Sequence, residues 1–147
     1  MTKANGYMIY KLYNAKEDHT EMEFFLPDND LKRVTWRLMT LASYKERGYE
    51  VIGILKVDEE TYLNARLNET VKEYLYMDNR EIHTKVDFRC GMISARTAQR
   101  TLEAIQDHKW TLLKVLAKQM RRIMYKDYTV YNEIALKLYD EYIKEVF

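Results

Sequence analysis

The chain has 147 residues, 47% of them apolar and 32% charged, with a formal net charge of +1. That composition excludes a disordered chain, and the near-neutral charge excludes bulk attraction to nucleic acid or to a membrane, so any such attraction must come from local asymmetry. Cys90 is the only cysteine, which excludes an intramolecular disulfide.

No apolar stretch of signal-peptide length follows Lys3, and nowhere do about 18 apolar residues run uninterrupted. The expectation is a soluble, cytoplasmic protein folded as a single domain over residues 1–147. Residues 1–90 are expected to form an α+β sheet part and residues 91–147 a helical part. Four glycines and one proline imply short loops or loops built from Asn and Asp. Thirteen tyrosines suit half-buried positions and interfaces.

Residues 7–13 alternate with Met8, Tyr10 and Leu12 on one face, and residues 21–26 alternate with Met22, Phe24 and Leu26 inward and Glu21 and Glu23 outward. The polar segment between them makes this a hairpin. Pro27 to Asp30 stops the second strand and supplies an N-cap for a helix over 30–47, ended by Gly48. Its stripe is Leu31, Val34, Leu38, Leu41 and Ala42. Trp36 and Met39 lie off that stripe, which suggests cover on two sides. Tyr49 to Val57 is almost continuously apolar and reads as a strand buried on both faces or in mid-sheet. Asp58 caps a helix striped with Leu63, Leu67, Thr70, Val71, Tyr74 and Leu75, and Asp78-Asn79 ends it. Glu81 to Cys90 alternates and reads as a strand with one wet face; Cys90 takes the apolar parity. Residues 94–126 keep a helical period as one helix or as two: Asp107-His108 could recap a second, and a bend there is supported by Lys109, which would fall on the apolar face of a straight helix, and by Trp110, which would fall near the basic one. A last helix is expected over 129–147.

The fold class is therefore α+β: a small mixed or antiparallel sheet of about four strands in the order β-β-α-β-α-β, with a C-terminal helical subdomain of two or three helices.

No reaction constellation is apparent. His19, His83, His108 and Cys90 never stand three or four residues apart, so no metal site is assigned. Ser43 and Ser94 are not flanked by glycines, no two glycines lie close enough to cradle a phosphate, and no catalytic residue or cofactor is assigned.

Charge asymmetry is the better signal. From Arg89 to Lys126, nine basic residues stand against Glu103 and Asp107; from Asp127 to Phe147, five acids stand against Lys137 and Lys144. Either neighbouring helices exchange ion pairs, or the basic stripe meets a partner. The residues singled out for a protein or nucleic-acid partner are Arg96, Arg100, Trp110, Lys114, Lys118, Arg121 and Arg122. Gly91-Met92-Ile93-Ser94-Ala95-Arg96-Thr97-Ala98-Gln99-Arg100-Thr101-Leu102 resembles the turn and recognition helix of helix-turn-helix DNA-binding proteins, where polar side chains of such a helix enter the major groove. The resemblance covers about a dozen residues and does not assign the chain to that family.

The leading expectation is a small intracellular, non-enzymatic interaction protein with a protein partner, of the kind a phage or mobile element carries as an accessory or inhibitor of a host factor. The second is DNA or RNA binding through residues 94–126, and an enzyme ranks third. No membrane partner is expected. Self-association through the amphipathic C-terminal helices is a further reading the sequence allows.

Overall fold

The computed structural model describes residues 6–146. Its elements are β1 (Tyr7–Asn14), β2 (His19–Phe25), α1 (Leu31–Glu46), β3 (Tyr49–Val57), α2 (Glu59–Arg89), α3 (Ala95–Tyr125) and α4 (Glu133–Val146). The class is α+β, with three antiparallel strands and four helices among the described residues. The chain divides into two compact units, one running to Tyr62 and one starting at Leu63.

In the first unit β1 lies at the centre of the sheet, in the order β2-β1-β3. Its alternation is as read: Met8, Tyr10 and Leu12 are buried, and Leu41 and Tyr44 of α1 take part in the same clusters. Tyr7 and Ile9 are buried as well. Tyr62 packs beside Tyr7 at 4.7 Å between ring centres, and the Tyr7 hydroxyl donates to Glu59 at 2.6 Å.

β2 presents the face opposite to the one expected. The register sets Phe25 against Met8, Glu23 against Tyr10 and Glu21 against Leu12, so Glu21 and Glu23 share the α1 side with Phe25. The reason is polar: Tyr44 of α1 hydrogen-bonds to both carboxylates, 2.9 Å from Glu21 and 2.7 Å from Glu23.

β3 also departs from expectation. It is an edge strand, and Val51, Ile52, Ile54 and Leu55 are all exposed. A register shift opposite Lys11/Leu12 leaves Ile52 without a counterpart in β1. Such bulges blunt an edge against pairing with another strand. Helix α1 begins as read, with Asp30 accepting from the Arg33 N–H at 2.8 Å. Its buried side differs: Tyr44 is its buried residue, whereas Leu31, Trp36, Leu38 and Met39 are exposed.

Tyr44 provides a test. Burial, then the carboxylates of Glu23 and Glu21, push its phenol well above the ordinary value of 10.0. The unfolded chain therefore loses this proton first, so stability is unaffected below about pH 10 and falls as pH rises beyond it. Tyr44→Phe should flatten the alkaline limb of the stability curve relative to wild type and cost about 1 kcal/mol at pH 7, measured by urea melts across pH 8–11.

The second unit corrects the fourth strand. Residues 81–89 continue α2 as an unbroken 31-residue helix. Neither glycine nor proline interrupts the run, and the helical period brings Met77 and Thr84 to the buried side while Ile82 and Val86 face outward. Thr84 satisfies its hydroxyl on the Arg80 carbonyl at 2.8 Å. Asp78-Asn79 does not end the helix, and Cys90 is exposed rather than a buried hydrophobe. Gly91, at φ +73°, closes the helix, with the Met92 N–H bonded to the Asp87 carbonyl.

Helix α3 is also continuous, so no helix boundary falls at Asp107-His108. Lys109 does sit on its buried side, where it is paired with Asp78 and, at 3.3 Å, with Glu81 of α2. His108 meets Glu73 at 3.0 Å and Gln106 meets Glu81 at 2.5 Å. Later positions on α3 meet earlier ones on α2, so the two helices run antiparallel. Ile105, Leu112, Leu116, Met120 and Ile123 fill the core beside them. Helix α4 starts at Glu133, later than expected. Asn132 caps it through the Ala135 N–H, and the preceding loop is held by Asn64, which donates to the Thr129 carbonyl and accepts from the Tyr131 N–H. Among the described residues, no helix is long and apolar enough to cross a membrane.

Candidate functional site

Helix α3 starts where the sequence provides a cap: the Ser94 hydroxyl accepts from the Thr97 N–H at 3.1 Å. From there the apolar residues take one side and leave the other to solvent. At about 100° per residue, Arg96, Arg100, Trp110, Lys114, Lys118 and Arg121 fall within roughly 40° of one line along the helix, with Arg122 beside it.

All seven residues are exposed. Among the described residues, none of the six cations forms an ion pair, including with the acids of α4. The side-chain interactions they do make are local: Arg121 donates to the Ala117 carbonyl of its own helix, and Lys114 lies 5.8 Å from the Trp110 ring centre. The alternative in which α4 neutralises the stripe is therefore not the arrangement adopted.

The stripe has two parts. Glu103 and Asp107 occupy the same line between Arg100 and Lys114, a gap of roughly 21 Å along the axis at 1.5 Å per residue. Gln99 bonds Glu103 at 3.2 Å one turn on. At the N-terminal end, Arg100 lines a shallow groove with Arg80 and Tyr76 of α2. A neighbouring apolar groove is bounded by Phe88, Ala95, Ala98 and Leu102. At the C-terminal end, Lys114, Lys118, Arg121 and Arg122 cluster over the last three turns, with Tyr125 exposed one turn beyond. Trp110 is half covered by Tyr142 of α4, their rings 5.3 Å apart and tilted by 49°.

Sequence reasoning placed the six cations on one side of the helical stretch with Trp110 near it, and the helix brings all seven to one face, in two groups. It missed Arg80, which joins Arg100 from another helix, and Tyr142, which fixes Trp110. Neither contact follows from spacing, because each depends on which helices become neighbours. The surroundings of residues 91–102 also differ from a helix-turn-helix. Two 31-residue helices run antiparallel, meeting through residues 73–88 and 95–112, where that motif uses two short helices.

No family model matches the chain, and no curated protein or solved structure is significantly similar to it.

Proposed function

We propose that this chain is a non-enzymatic interaction protein that binds a protein partner through the outward face of α3. The supporting observation is the set of exposed cations that form no ion pair among the described residues: Arg96, Arg100, Lys114, Lys118, Arg121 and Arg122. A long cation left without an ionic partner on a folded surface offers charge-assisted hydrogen bonds to another molecule. Trp110 and Tyr125 supply the aromatic area that anchors interfaces.

The distribution favours a protein over a nucleic acid. A polyphosphate backbone is uniformly negative and would meet Glu103 and Asp107 in the middle of the stripe. A protein surface can match a basic–acidic–basic sequence of charges. An accessory or inhibitor protein of a phage or mobile element, acting by occupying a host factor's surface, is the form this function takes in our reading.

Nucleic-acid binding is the second reading, favoured by the four cations clustered at the C-terminal end of α3. Charge reversal separates the two. Lys114→Glu/Lys118→Glu/Arg121→Glu should leave the melting temperature unchanged and reduce capture of the protein partner at least about tenfold. Complex formation with any duplex or single strand in a low-salt gel shift, steeply weakened by added salt, would replace the leading reading with the second. Capture unaffected by charge reversal at either end of α3 would remove the α3 face from both.

A further inference from the structure

The outward face of α1 lies in the first unit, and its exposed residues form a self-complementary set. Lys32, Thr35, Trp36, Met39, Ala42, Ser43 and Glu46 lie within roughly 60° of the Met39 direction on a helix of about 100° per residue. All seven are exposed, Trp36 at 66% and Met39 at 65%. Leu31, 80% exposed, and Leu38, 56% exposed, flank them. A helix lying on a sheet ordinarily turns a charged face to solvent. Here Lys32 and Glu46 stand at the two ends of the stripe, and everything between them is apolar or small and uncharged. Among the described residues, neither Lys32 nor Glu46 forms an ion pair. Lys32, Trp36 and Met39 also border a shallow recess on this face.

We infer that α1 is the contact of a homodimer in which two copies of the helix pack antiparallel about a two-fold axis through Met39. Antiparallel pairing about that residue sets Lys32 of one copy against Glu46 of the other, and the symmetry makes the same ion pair at the opposite end. It sets Trp36 against Ser43 of the other copy, a large side chain against a small one, and Thr35 against Ala42. Met39 meets its own copy on the axis. A two-fold contact must be complementary to itself in this way, residue for residue. Charge and size both match at this register.

The contact is one helix wide, so it falls at the low end of specific interfaces, below about 1,200 Å² in total, and the dimer should be weak. The inference is independent of the reading of α3 and does not use its residues.

Sedimentation equilibrium of the full chain tests it. Wild type should pass from monomer to dimer between about 1 and 200 µM, as a weak interface requires. Met39→Glu places two like charges on the axis and should hold the chain monomeric throughout. Lys32→Glu and Glu46→Lys should each weaken the dimer about tenfold or more, because each creates two like-charge contacts. The double variant Lys32→Glu/Glu46→Lys should restore association to within a few-fold of wild type. The exposed positions should leave the circular dichroism and melting temperature unchanged, so loss of association is not loss of fold. A chain monomeric over the whole range overturns the inference and leaves this face to a different partner. A dimer indifferent to Met39→Glu, or a double variant no better than the single ones, overturns it equally.

Discussion

Replacing Lys109 with alanine should destabilise the protein by about 2 kcal/mol and lower the melting temperature by roughly 4–8 °C. Lys109 projects from the buried side of α3 with its side chain 13% exposed, and its ammonium is paired with Asp78 and Glu81 of α2. Its amine lies 5.0 Å from the centre of the Tyr74 ring. Removing it leaves Asp78 without its cation and Glu81 with only Lys85, 3.6 Å away. Breaking one side of a buried pair is costly for that reason, and partial exposure of Asp78 keeps the cost below that of a fully buried triad.

The pH dependence identifies the mechanism. Burial opposes ionisation of Glu81, but Lys109 and Lys85 outweigh it, so the carboxyl is held below its usual value of 4.5. The stability from this depressed carboxyl is present above about pH 4.5 and is lost as pH falls through the lower, folded value. Urea melts of wild type and Lys109→Met should therefore differ most near neutral pH and converge in acid. Lys109→Met/Glu81→Gln should recover part of the loss by removing a half-buried carboxylate that has lost one of its two cations. If Lys109→Met were as stable as wild type at pH 7, the pairing would be ornamental.

The same lysine explains why parts of this fold were legible in the sequence and parts were not. Local rules worked where the interaction partners are a few residues apart. The caps at Asp30, Asp58 and Ser94 all accept the backbone N–H three residues on, and each could be read from its position before an apolar run. Lys109 looked like a fault in a single helix because its two acids lie about 30 residues earlier, and a bend was the local remedy. Residues 81–90 were ambiguous for a related reason. Ile82 with Val86, and Thr84 with Phe88, satisfy both a two-residue alternation and a four-residue helical spacing, so the neighbouring helix, not the pattern, decides between them. On β2, the rule that carboxylates face water failed because Tyr44, on another element, gives Glu21 and Glu23 a partner. The α3 stripe was legible because one helix carries all seven residues. The apolar outward face of α1 was not, since Trp36 and Met39 off the main stripe read naturally as a second buried side.

Asn14→Ala should cost about 2–3 kcal/mol, the largest effect expected from a single polar side chain in the first unit. Asn14 ends β1 and is only 3% exposed. Its amide nitrogen donates to the Arg47 carbonyl at 3.1 Å, and its amide oxygen accepts from the Lys16 and Glu17 N–H groups at 3.1 and 3.2 Å. One side chain thus closes the β1–β2 turn, where Asp18 adopts φ 48°, and ties it to the end of α1. Gly48 belongs to the same arrangement. Its φ is +92°, and a Cβ there would lie 3.5 Å from the Asn14 amide nitrogen. Alanine at 14 deprives three backbone groups of their partners without offering water the same geometry. Aspartate keeps the two acceptor bonds but sets a carboxylate oxygen against the Arg47 carbonyl, so Asn14→Asp should be no better than alanine. Hydrogen exchange should speed up at the Lys16 and Glu17 amides about thirtyfold or more, matching a loss of about 2 kcal/mol, while α3 amides change less. A loss below about 0.5 kcal/mol would mean that the turn holds itself, through Tyr13 and Asp18 at 2.7 Å, and that Asn14 merely fills space.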